Sequence, residues 1–279
     1  MNVTHLIRSG RRRVKRSLLP LRNKWATRHR IVASLRQLGV KEGGTLLVHS
    51  SLSRLGYVPA GSPSVINALT ETLGVEGTLL MPAHSWEAVS AGERTFDVRT
   101  TPSCVGAIAE AFRKSSGVNR SLHPTHSIAA LGPGSEFFRS EHERCMTPCG
   151  EGSPYAKLLD GPGQILLLGV GGASNTCFHT VEAFASVPYL MGDATETFTL
   201  IDDSMTSHSI SIPLHRPHVA RCFTEVTESL LSSGIAVAEY CCEARLLLID
   251  ARHFRDHMLE ALKRDPLCLL ATSERKRWQ

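Results

Sequence analysis

Short apolar segments with polar ends alternate along this chain with amphipathic helical patterns. Strands are predicted at residues 44–49, 77–82, 127–131, 164–170 and 245–249. Helices are predicted at residues 27–38, 65–73, 102–112, 175–185, 219–231 and 251–264. This alternation favours an α/β fold in which helices cover both faces of a mainly parallel central sheet. Residues 198–202 and 207–212 are predicted to pair as a hairpin, which would make the sheet mixed.

The length and composition favour one main folded domain. A chain of 279 residues can bury a large core, and no internal repeat or low-complexity linker divides it. No run of about 18 apolar residues predicts a transmembrane helix, and the N-terminus lacks the apolar segment of a secretory signal. The eight cysteines include no CxxC pair, a pattern typical of reduced thiols. We therefore expect a cytoplasmic protein.

Positive charge is concentrated at the N-terminus. Residues 1–41 contain twelve Lys or Arg and no Asp or Glu, whereas the other 238 residues contain 19 basic and 26 acidic side chains. A basic N-terminal arm, residues 1–26, therefore precedes an acidic body, residues 27–279. The arm could contact an anionic membrane surface or remain a solvated leader. Nucleic acid is not the expected partner, because the body offers no aromatic stacking platform.

One motif combines polar side chains with a strand-to-helix junction. Residues 169–182 read GVGGASNTCFHTVE and follow a predicted strand, the position where open α/β sheets bind ligands. His179 and Glu182 are three residues apart on the predicted helix and therefore share a face. A neutral imidazole is the usual general base near neutral pH, and a neighbouring carboxylate can fix its tautomer. A surface His–Glu pair is the structural alternative.

A second motif, residues 120–133, reads RSLHPTHSIAALGP. Proline restricts the residue before it, so His123-Pro124 fixes an extended turn. The motif's polar side chains could bind an anion or polarise a carbonyl, or they could satisfy buried backbone groups in a rigid loop. Both interpretations stay open from the sequence, and they apply to Arg120, Ser121, His123, His126 and Ser127.

A third group, His49-Ser50-Ser51-Leu52, follows the first predicted strand and could take a phosphate or a carbonyl oxygen. The chain lacks both the GxxxxGK[ST] phosphate loop and the G-x-S-x-G nucleophile elbow. Cys145 and Cys149 lie near His142, but their spacing is poor for zinc and a fourth ligand is not obvious. No metal site is therefore expected.

Together with four other segments, these three groups resemble the aminoglycoside 3-N-acetyltransferase family. The family has the antibiotic N-acetyltransferase fold, which is distinct from the GNAT fold. The other matching segments are Gly77 to Pro82, Thr100 to Ser103, Gly106 to Glu110 and Gly152 to Tyr155. The resemblance covers about residues 28–272 and leaves the basic arm outside.

The resemblance implies acetyl transfer from acetyl-CoA to the amine of an amino sugar or aminoglycoside, as in antibiotic resistance, without a metal. It assigns His179 as the general base with Glu182, and it adds Thr176 and His126 to the catalytic set. The pantetheine and phosphates of the co-substrate would then be contacted by His49, Ser50, Ser51, Leu52, Arg120, Ser121 and His123.

Several alternatives stay open at this stage. The same His- and Ser-rich pocket could serve a CoA-thioester or amide hydrolase that uses water as the acceptor. Cys177 could form a covalent acetyl-enzyme, or it could be a small buried thiol. The segment after Glu182 carries few acids, so the acceptor could be a cellular amino sugar or an aminoglycoside. A homodimer is also an open alternative.

Overall fold

A computed structural model describes residues 25–279. The predicted arm, residues 1–26, lies outside this range except for its last two residues. Ala26 is buried, and its backbone N–H donates to the carbonyl of Tyr57 at 3.0 Å, so the arm joins the folded body there. Across residues 25–279, no helix is long and apolar enough to cross a membrane.

The central sheet has seven strands. In spatial order they are β4 (Asn119–Arg120), β5 (Ile128–Leu131), β2 (Thr78–Pro82), β1 (Thr45–Ser50), β6 (Gln164–Leu168), β10 (Ala244–Asp250) and β9 (Ala236–Cys241). The three middle strands β2, β1 and β6 are parallel, and each flanking pair is antiparallel. The structure therefore confirms an α/β fold with a mixed sheet, and parallel pairing is confined to the centre.

A second sheet contains β3 (Thr95–Asp97), β7 (Met191–Ile201) and β8 (Ser207–His215). The predicted hairpin forms between β7 and β8, with Ile201 opposite Ser207. It does not join the central sheet as predicted, because its apolar face packs against Phe96 in a separate small core. The mixed character of the central sheet comes instead from its own antiparallel strands.

Helices cover both faces of the central sheet, as predicted. One face carries α1 (Arg28–Leu38), α2 (Ser62–Leu73) and α4 (Ala107–Arg113). The other face carries α5 (Ser135–Arg139), α6 (Pro154–Asp160), α7 (Cys177–Phe184), α8 (Phe223–Ser232) and α9 (Ala251–Arg264). Two further helices are α3 (Trp86–Ser90) and α10 (Thr272–Trp278). Side chains alternate along each strand, so Leu47 packs in one core and Leu46 in the other.

The parallel strands place the predicted motifs at one edge of the sheet. Strands β1, β2 and β6 all end there, because parallel strands share the direction of their carboxyl ends. Strand β5 runs the opposite way, with Ile128 opposite Pro82, so the loop before β5 reaches the same edge. The three motifs meet at this edge although they are far apart in sequence.

Candidate active site

A cleft of about 920 Å³ opens at the carboxyl edge of the parallel strands. Its polar wall comes from the end of β1, the residues after β2, the loop before β5 and the start of α7. The lining residues include His49, Ser50, Ser51, Leu52, His84, His126, Asn175, Thr176 and His179. Of the eleven predicted site residues, seven line this cleft, and Glu182 contacts one of the seven.

His179 and Glu182 form a pair at the inner end of the cleft. His179 Nδ1 lies 2.7 Å from Glu182 Oε2, and the Glu182 carboxylate is fully buried. Arg221 holds the other carboxylate oxygen, because its Nε donates to Glu182 Oε1 at 3.0 Å. A buried carboxylate with two such partners stays in position and fixes the proton of the imidazole on Nδ1. Nε2 is then the ring nitrogen available to the cleft.

The loop before α7 places this pair. Asn175 Oδ1 accepts a hydrogen bond from the backbone N–H of Cys177 at 3.1 Å, which supports the first turn of the helix. Gly172 packs against α8 so closely that a Cβ there would lie 2.3 Å from the carbonyl oxygen of Phe223. Asn175 thus supports the start of the helix, and both Asn175 and Thr176 line the cleft.

Arg221 and His215 were not predicted as site residues. Both lie far along the chain from the motif at 169–182, and no local pattern marks them. The sequence contains one partial indication of Arg221. A carboxylate on a buried helix face requires a cationic partner or several hydrogen-bond donors. That requirement predicts that a partner exists, but only the fold shows which arginine supplies it.

Four imidazoles form a row, and three of them, His179, His126 and His84, line the cleft. Ring centroids are 4.8 Å apart for His179 and His215, 4.7 Å for His215 and His126, and 4.6 Å for His126 and His84. The row ends at Tyr155, whose hydroxyl lies 2.7 Å from His84 Nε2.

Burial keeps three imidazoles of this row neutral. Desolvation lowers the pKa of His126 to about 3 and holds the pKa values of His84 and His215 well below the usual 6.5. His49, on the end of β1, is buried in the same wall, and desolvation lowers its pKa to about 3. Its Nε2 atom is buried with no protein partner. His49, His84, His126 and His215 are therefore uncharged at neutral pH.

Arg120, Ser121 and His123, which the resemblance assigns to the co-substrate, are buried and are not among the residues that line the cleft. Arg120 donates from Nε to Ser127 Oγ at 2.9 Å, and its guanidinium lies 4.7 Å from the centroid of the Phe96 ring. Burial lowers the pKa of Arg120 to about 9. Its donors are committed to the protein, so it supports the loop.

The other two side chains of this group also support the loop that carries His126. Ser121 Oγ lies 2.8 Å from His142 Nδ1. His123 Nδ1 accepts hydrogen bonds from the backbone N–H groups of Thr125 at 3.2 Å and His126 at 3.1 Å. Of the two open interpretations of the motif, the rigid loop with satisfied backbone groups is the one observed for these residues.

The Cys145–Cys149 segment does not use His142 as a metal ligand. Both ring nitrogens of His142 face protein groups, since Nε2 lies 2.9 Å from the carbonyl oxygen of Pro148 and Nδ1 faces Ser121. Within residues 25–279, no group of three or more His, Cys, Asp or Glu side chains is placed to hold a metal ion.

The comparisons with known proteins all indicate the same family. Residues 47–263 match the model of a family described as aminoglycoside 3-N-acetyltransferase. The chain is 38% identical over 161 residues to aminoglycoside N(3)-acetyltransferase IV from a Salmonella species, covering 57% of this chain and 59% of that protein. It is 30% identical over 251 residues to aminoglycoside N(3)-acetyltransferase VIII of Streptomyces fradiae, covering 81% of this chain and 87% of that protein.

A third relative is the SPbeta prophage-derived aminoglycoside N(3')-acetyltransferase-like protein YokD of Bacillus subtilis. It is 34% identical over 183 residues, covering 58% of this chain and 66% of that protein. The chain thus spans less than two thirds of the length of YokD and of the Salmonella enzyme.

Solved structures agree over most of the chain. A variant of aminoglycoside acetyltransferase AAC(3)-IVa, crystallised with a gentamicin, superposes with a TM-score of 0.77 at 30% identity, covering 90% of this chain and 93% of that one. The AAC-IIIb binary complex with CoASH superposes with a TM-score of 0.74 at 26% identity, covering 86% and 97%. From the sequence match and the shared fold together, this chain belongs to the aminoglycoside 3-N-acetyltransferase family.

Proposed function

We propose that this protein transfers the acetyl group of acetyl-CoA to a primary amine of an amino sugar or aminoglycoside, with His179 as the general base. The observation that carries the proposal is the buried Glu182 carboxylate, which pairs with Arg221 and with an imidazole that lines the cleft. Relatives that are named for aminoglycoside acetylation, and one that was solved with CoASH, support the choice of substrates.

The chemistry requires a base because an alkylammonium is not a nucleophile. His179 Nε2 takes one proton from the ammonium, and the free amine then attacks the thioester carbonyl. The C–N bond forms, the C–S bond breaks, and the nitrogen loses a second proton as the amide is made. One of the two protons ends on the CoA sulfur and the other in solvent. Glu182 stabilises the imidazolium that exists between these steps.

The tetrahedral intermediate needs a donor for its oxyanion. The backbone N–H of Ser51 is already used in the sheet, since it donates to the carbonyl of Leu168 at 3.0 Å. The Thr176 hydroxyl at the cleft wall is therefore one donor in this proposal. His126 is a second, because a Thr125 hydroxyl that donates to its Nδ1, 2.8 Å away, leaves the ring proton on Nε2.

The volume and the polar groups of the cleft suit acetyl-CoA. Ligand pockets of about 300–1,000 Å³ accommodate drug-sized molecules, and this cleft is at the large end of that range. His49 presents a buried nitrogen without a protein partner, and Ser50, Ser51 and Leu52 follow it along the wall. We assign these four residues to acetyl-CoA binding.

Release of CoA thiol from acetyl-CoA tests the proposed function directly. We expect release to depend on an added amino sugar or aminoglycoside, and a mass increase of one acetyl group on that amine. CoA release at the same rate without any amine would instead indicate a thioester hydrolase. Family membership does not favour that alternative.

Replacing Cys177 by alanine should preserve most acetyl transfer. The side chain is fully buried in the core under α7, and burial strongly raises the pKa of its thiol, so no thiolate is available for attack. We expect kcat to change by less than about three-fold, with a modest loss of stability. Abolished turnover in a folded variant, together with a trapped acetyl-enzyme, would establish a covalent mechanism instead.

Deleting residues 1–24 should show whether the arm serves acetyl transfer or binding to an anionic membrane surface. Trp25 and Ala26 stay in the truncated protein, because Ala26 is part of the folded body. We expect acetyl transfer within a few-fold of the full-length rate. Each Lys or Arg near an anionic membrane surface contributes about 1 kcal/mol of binding, so binding to phosphatidylserine vesicles at low salt should be lost.

Neutral phosphatidylcholine vesicles are the control for this deletion. A truncated protein that is folded but acetylates no amine would place the arm within the catalytic unit.

A further inference from the structure

Arg221, the partner of Glu182, is also held by contacts that do not involve the carboxylate. It lies in the loop between β8 and α8, and its backbone pairs with that of Leu270 in an antiparallel bridge. Its Nη1 donates to the carbonyl of Val219 at 3.0 Å, and its guanidinium carbon lies 5.7 Å from the centroid of the Tyr189 ring. The side chain is only 11% exposed. The fold therefore fixes a cation behind the pair of His179 and Glu182.

The charges of this cluster balance only while the imidazole is neutral. Glu182 is fully buried and contacts His179 with one carboxylate oxygen and Arg221 with the other. With a neutral imidazole, the carboxylate and the guanidinium cancel. A proton added to His179 leaves one uncompensated positive charge in a buried place, where repulsion between like charges is weakly screened. Glu182 therefore favours protonation of His179, while Arg221 opposes it.

The other side chains that face His179 carry no charge at neutral pH. The ring of His215 on β8 lies 4.8 Å from that of His179, and the apolar ring of Phe223 on α8 lies at 5.3 Å. His126 and His84 lie within electrostatic range. Burial lowers the pKa of His126 to about 3 and holds those of His84 and His215 well below 6.5. None of these groups replaces the positive charge of Arg221.

The titratable side chains around Glu182 are neutral as well. Cys149, Tyr189 and Cys222 lie within its electrostatic range, and burial raises the pKa of each, so the thiols and the phenol keep their protons at neutral pH. Among residues 25–279, the ion pairs of Glu182 are those with His179 and Arg221. The charge balance at the base thus depends on these three side chains.

We propose that Arg221 is a positioning residue that, through Glu182, sets the pH at which the His179–Glu182 pair gives up its last proton, so that the imidazole is free to act as a base. The proposal rests on the proposed acetyl transfer. Without Arg221, a buried carboxylate would stand alone, and the pair would keep a proton to neutralise it. That proton occupies the base whether it sits on the carboxylate or on the imidazole, because the two groups titrate as one coupled unit.

Replacing Arg221 by methionine tests the proposal, since methionine keeps most of the apolar length and removes the charge. The measured quantity is kcat as a function of pH with both substrates saturating, which reports groups in the complex. We expect the pH of half-maximal kcat to move upward by about one unit or more, the usual effect of a charge lost at contact distance. Activity lost at pH 7 should be largely regained at higher pH. An unchanged profile in a folded variant would overturn the proposal.

Glu182→Gln supplies the opposite change in charge. It leaves Arg221 unbalanced, so the pH of half-maximal kcat should move downward, and the maximal kcat should fall because the imidazolium has lost its carboxylate. The double variant Arg221→Met/Glu182→Gln restores the charge balance, and its profile should lie between those of the two single variants. If Arg221→Met alone does not fold, the comparison of the double variant with Glu182→Gln still isolates the arginine, and equal profiles for these two would overturn the proposal.

Arg216→Met is the matched control. Arg216 lies in the same loop and pairs with Asp193, whose side chain is 89% exposed, so it does not contact the base or Glu182. Its profile should match that of the wild type. An upward shift equal to that of Arg221→Met would mean that any arginine of this loop has the same effect, and it would contradict the assigned role.

A readout without substrate separates this proposal from the proposed function. Titration of the His179 imidazole by ¹⁵N NMR should give the same order of variants, with Arg221→Met holding its proton to the highest pH and Glu182→Gln to the lowest. If that order is observed while no amine is acetylated, the role of Arg221 stands and the proposed acetyl transfer fails. If amines are acetylated and the order is absent, only the role of Arg221 fails.

Discussion

We expect His179→Ala to lower kcat for acetyl transfer by about 10²–10⁴-fold, the usual contribution of a positioned general base. The Kd of acetyl-CoA should stay nearly unchanged. The imidazole lines the cleft, but its Nδ1 is engaged with Glu182 and its Nε2 is assigned to the amine rather than to the co-substrate. Steady-state kinetics with the best acceptor measures the first quantity, and titration calorimetry with acetyl-CoA measures the second.

His257→Ala is the matched control, because that histidine is exposed on α9 and remote from the cleft lining. It should retain full activity. The pH profile provides an additional readout. The profile of His179→Ala should differ from that of the wild type, because its residual activity should follow the free amine alone. Parallel loss of acetyl-CoA binding would identify His179 as a co-substrate contact or a folding residue.

The second large effect is loss of stability in mild acid. His49, His84, His123 and His142 are all less than 7% exposed. Desolvation lowers the pKa of His49 to about 3 and that of His142 to about 4, and it holds those of His84 and His123 well below 6.5. In the unfolded chain each histidine takes up a proton near pH 6.5.

The direction in which the free energy of unfolding changes with pH depends on how many protons each state binds. Below pH 6.5 the unfolded state binds more protons than the folded state, so the free energy of unfolding falls as the pH falls. Each buried histidine contributes about 1.4 kcal/mol per pH unit, so four of them contribute about 5–6 kcal/mol per unit. The loss continues until the pH reaches the folded pKa values, near 4 for His142. Because a whole domain has a stability of only about 5–15 kcal/mol, unfolding is expected between about pH 6 and pH 4.5.

Urea unfolding followed by circular dichroism at several pH values between 7.5 and 4.5 measures this slope. His49→Gln removes one titrating group and should reduce the slope by about 1.4 kcal/mol per pH unit, whatever its effect on stability at neutral pH. His257→Gln, on the exposed face of α9, should leave the slope unchanged. A free energy of unfolding that is constant from pH 7 to pH 5 would contradict the expectation.

Helices and strands with a regular hydrophobic pattern and well-marked ends were predictable from the sequence. The buried runs at β1, β2 and β6 are short, apolar and bounded by turn residues, so they were identified as strands. Strand β9 was not predicted, because it is an edge strand whose residues Val237 and Tyr240 are exposed and whose pattern carries little apolar alternation. Helices α4 and α8 begin later than predicted, at Ala107 and Phe223.

The candidate site also contains contacts that the sequence predicted and contacts that it did not. The spacing of His179 and Glu182 on one helix face is a local property, so their contact was predicted and is observed. The motif at residues 120–133 was also identified locally. However, a strand-flanking loop can face a cleft or the core. Of the five side chains singled out in this motif, His126 lines the cleft, and the other four are buried: Arg120, Ser121, His123 and Ser127.

The sequence by itself determined the α/β class, the strands that carry the motifs and the His–Glu pair, because each depends on contacts between residues close in the chain. Only the tertiary structure decided that Arg221 holds Glu182, that His215 and His84 extend the imidazole row, and that the hairpin forms its own sheet. These features depend on packing between distant segments, and on which buried groups find partners there. Spacing along the chain does not encode those partners.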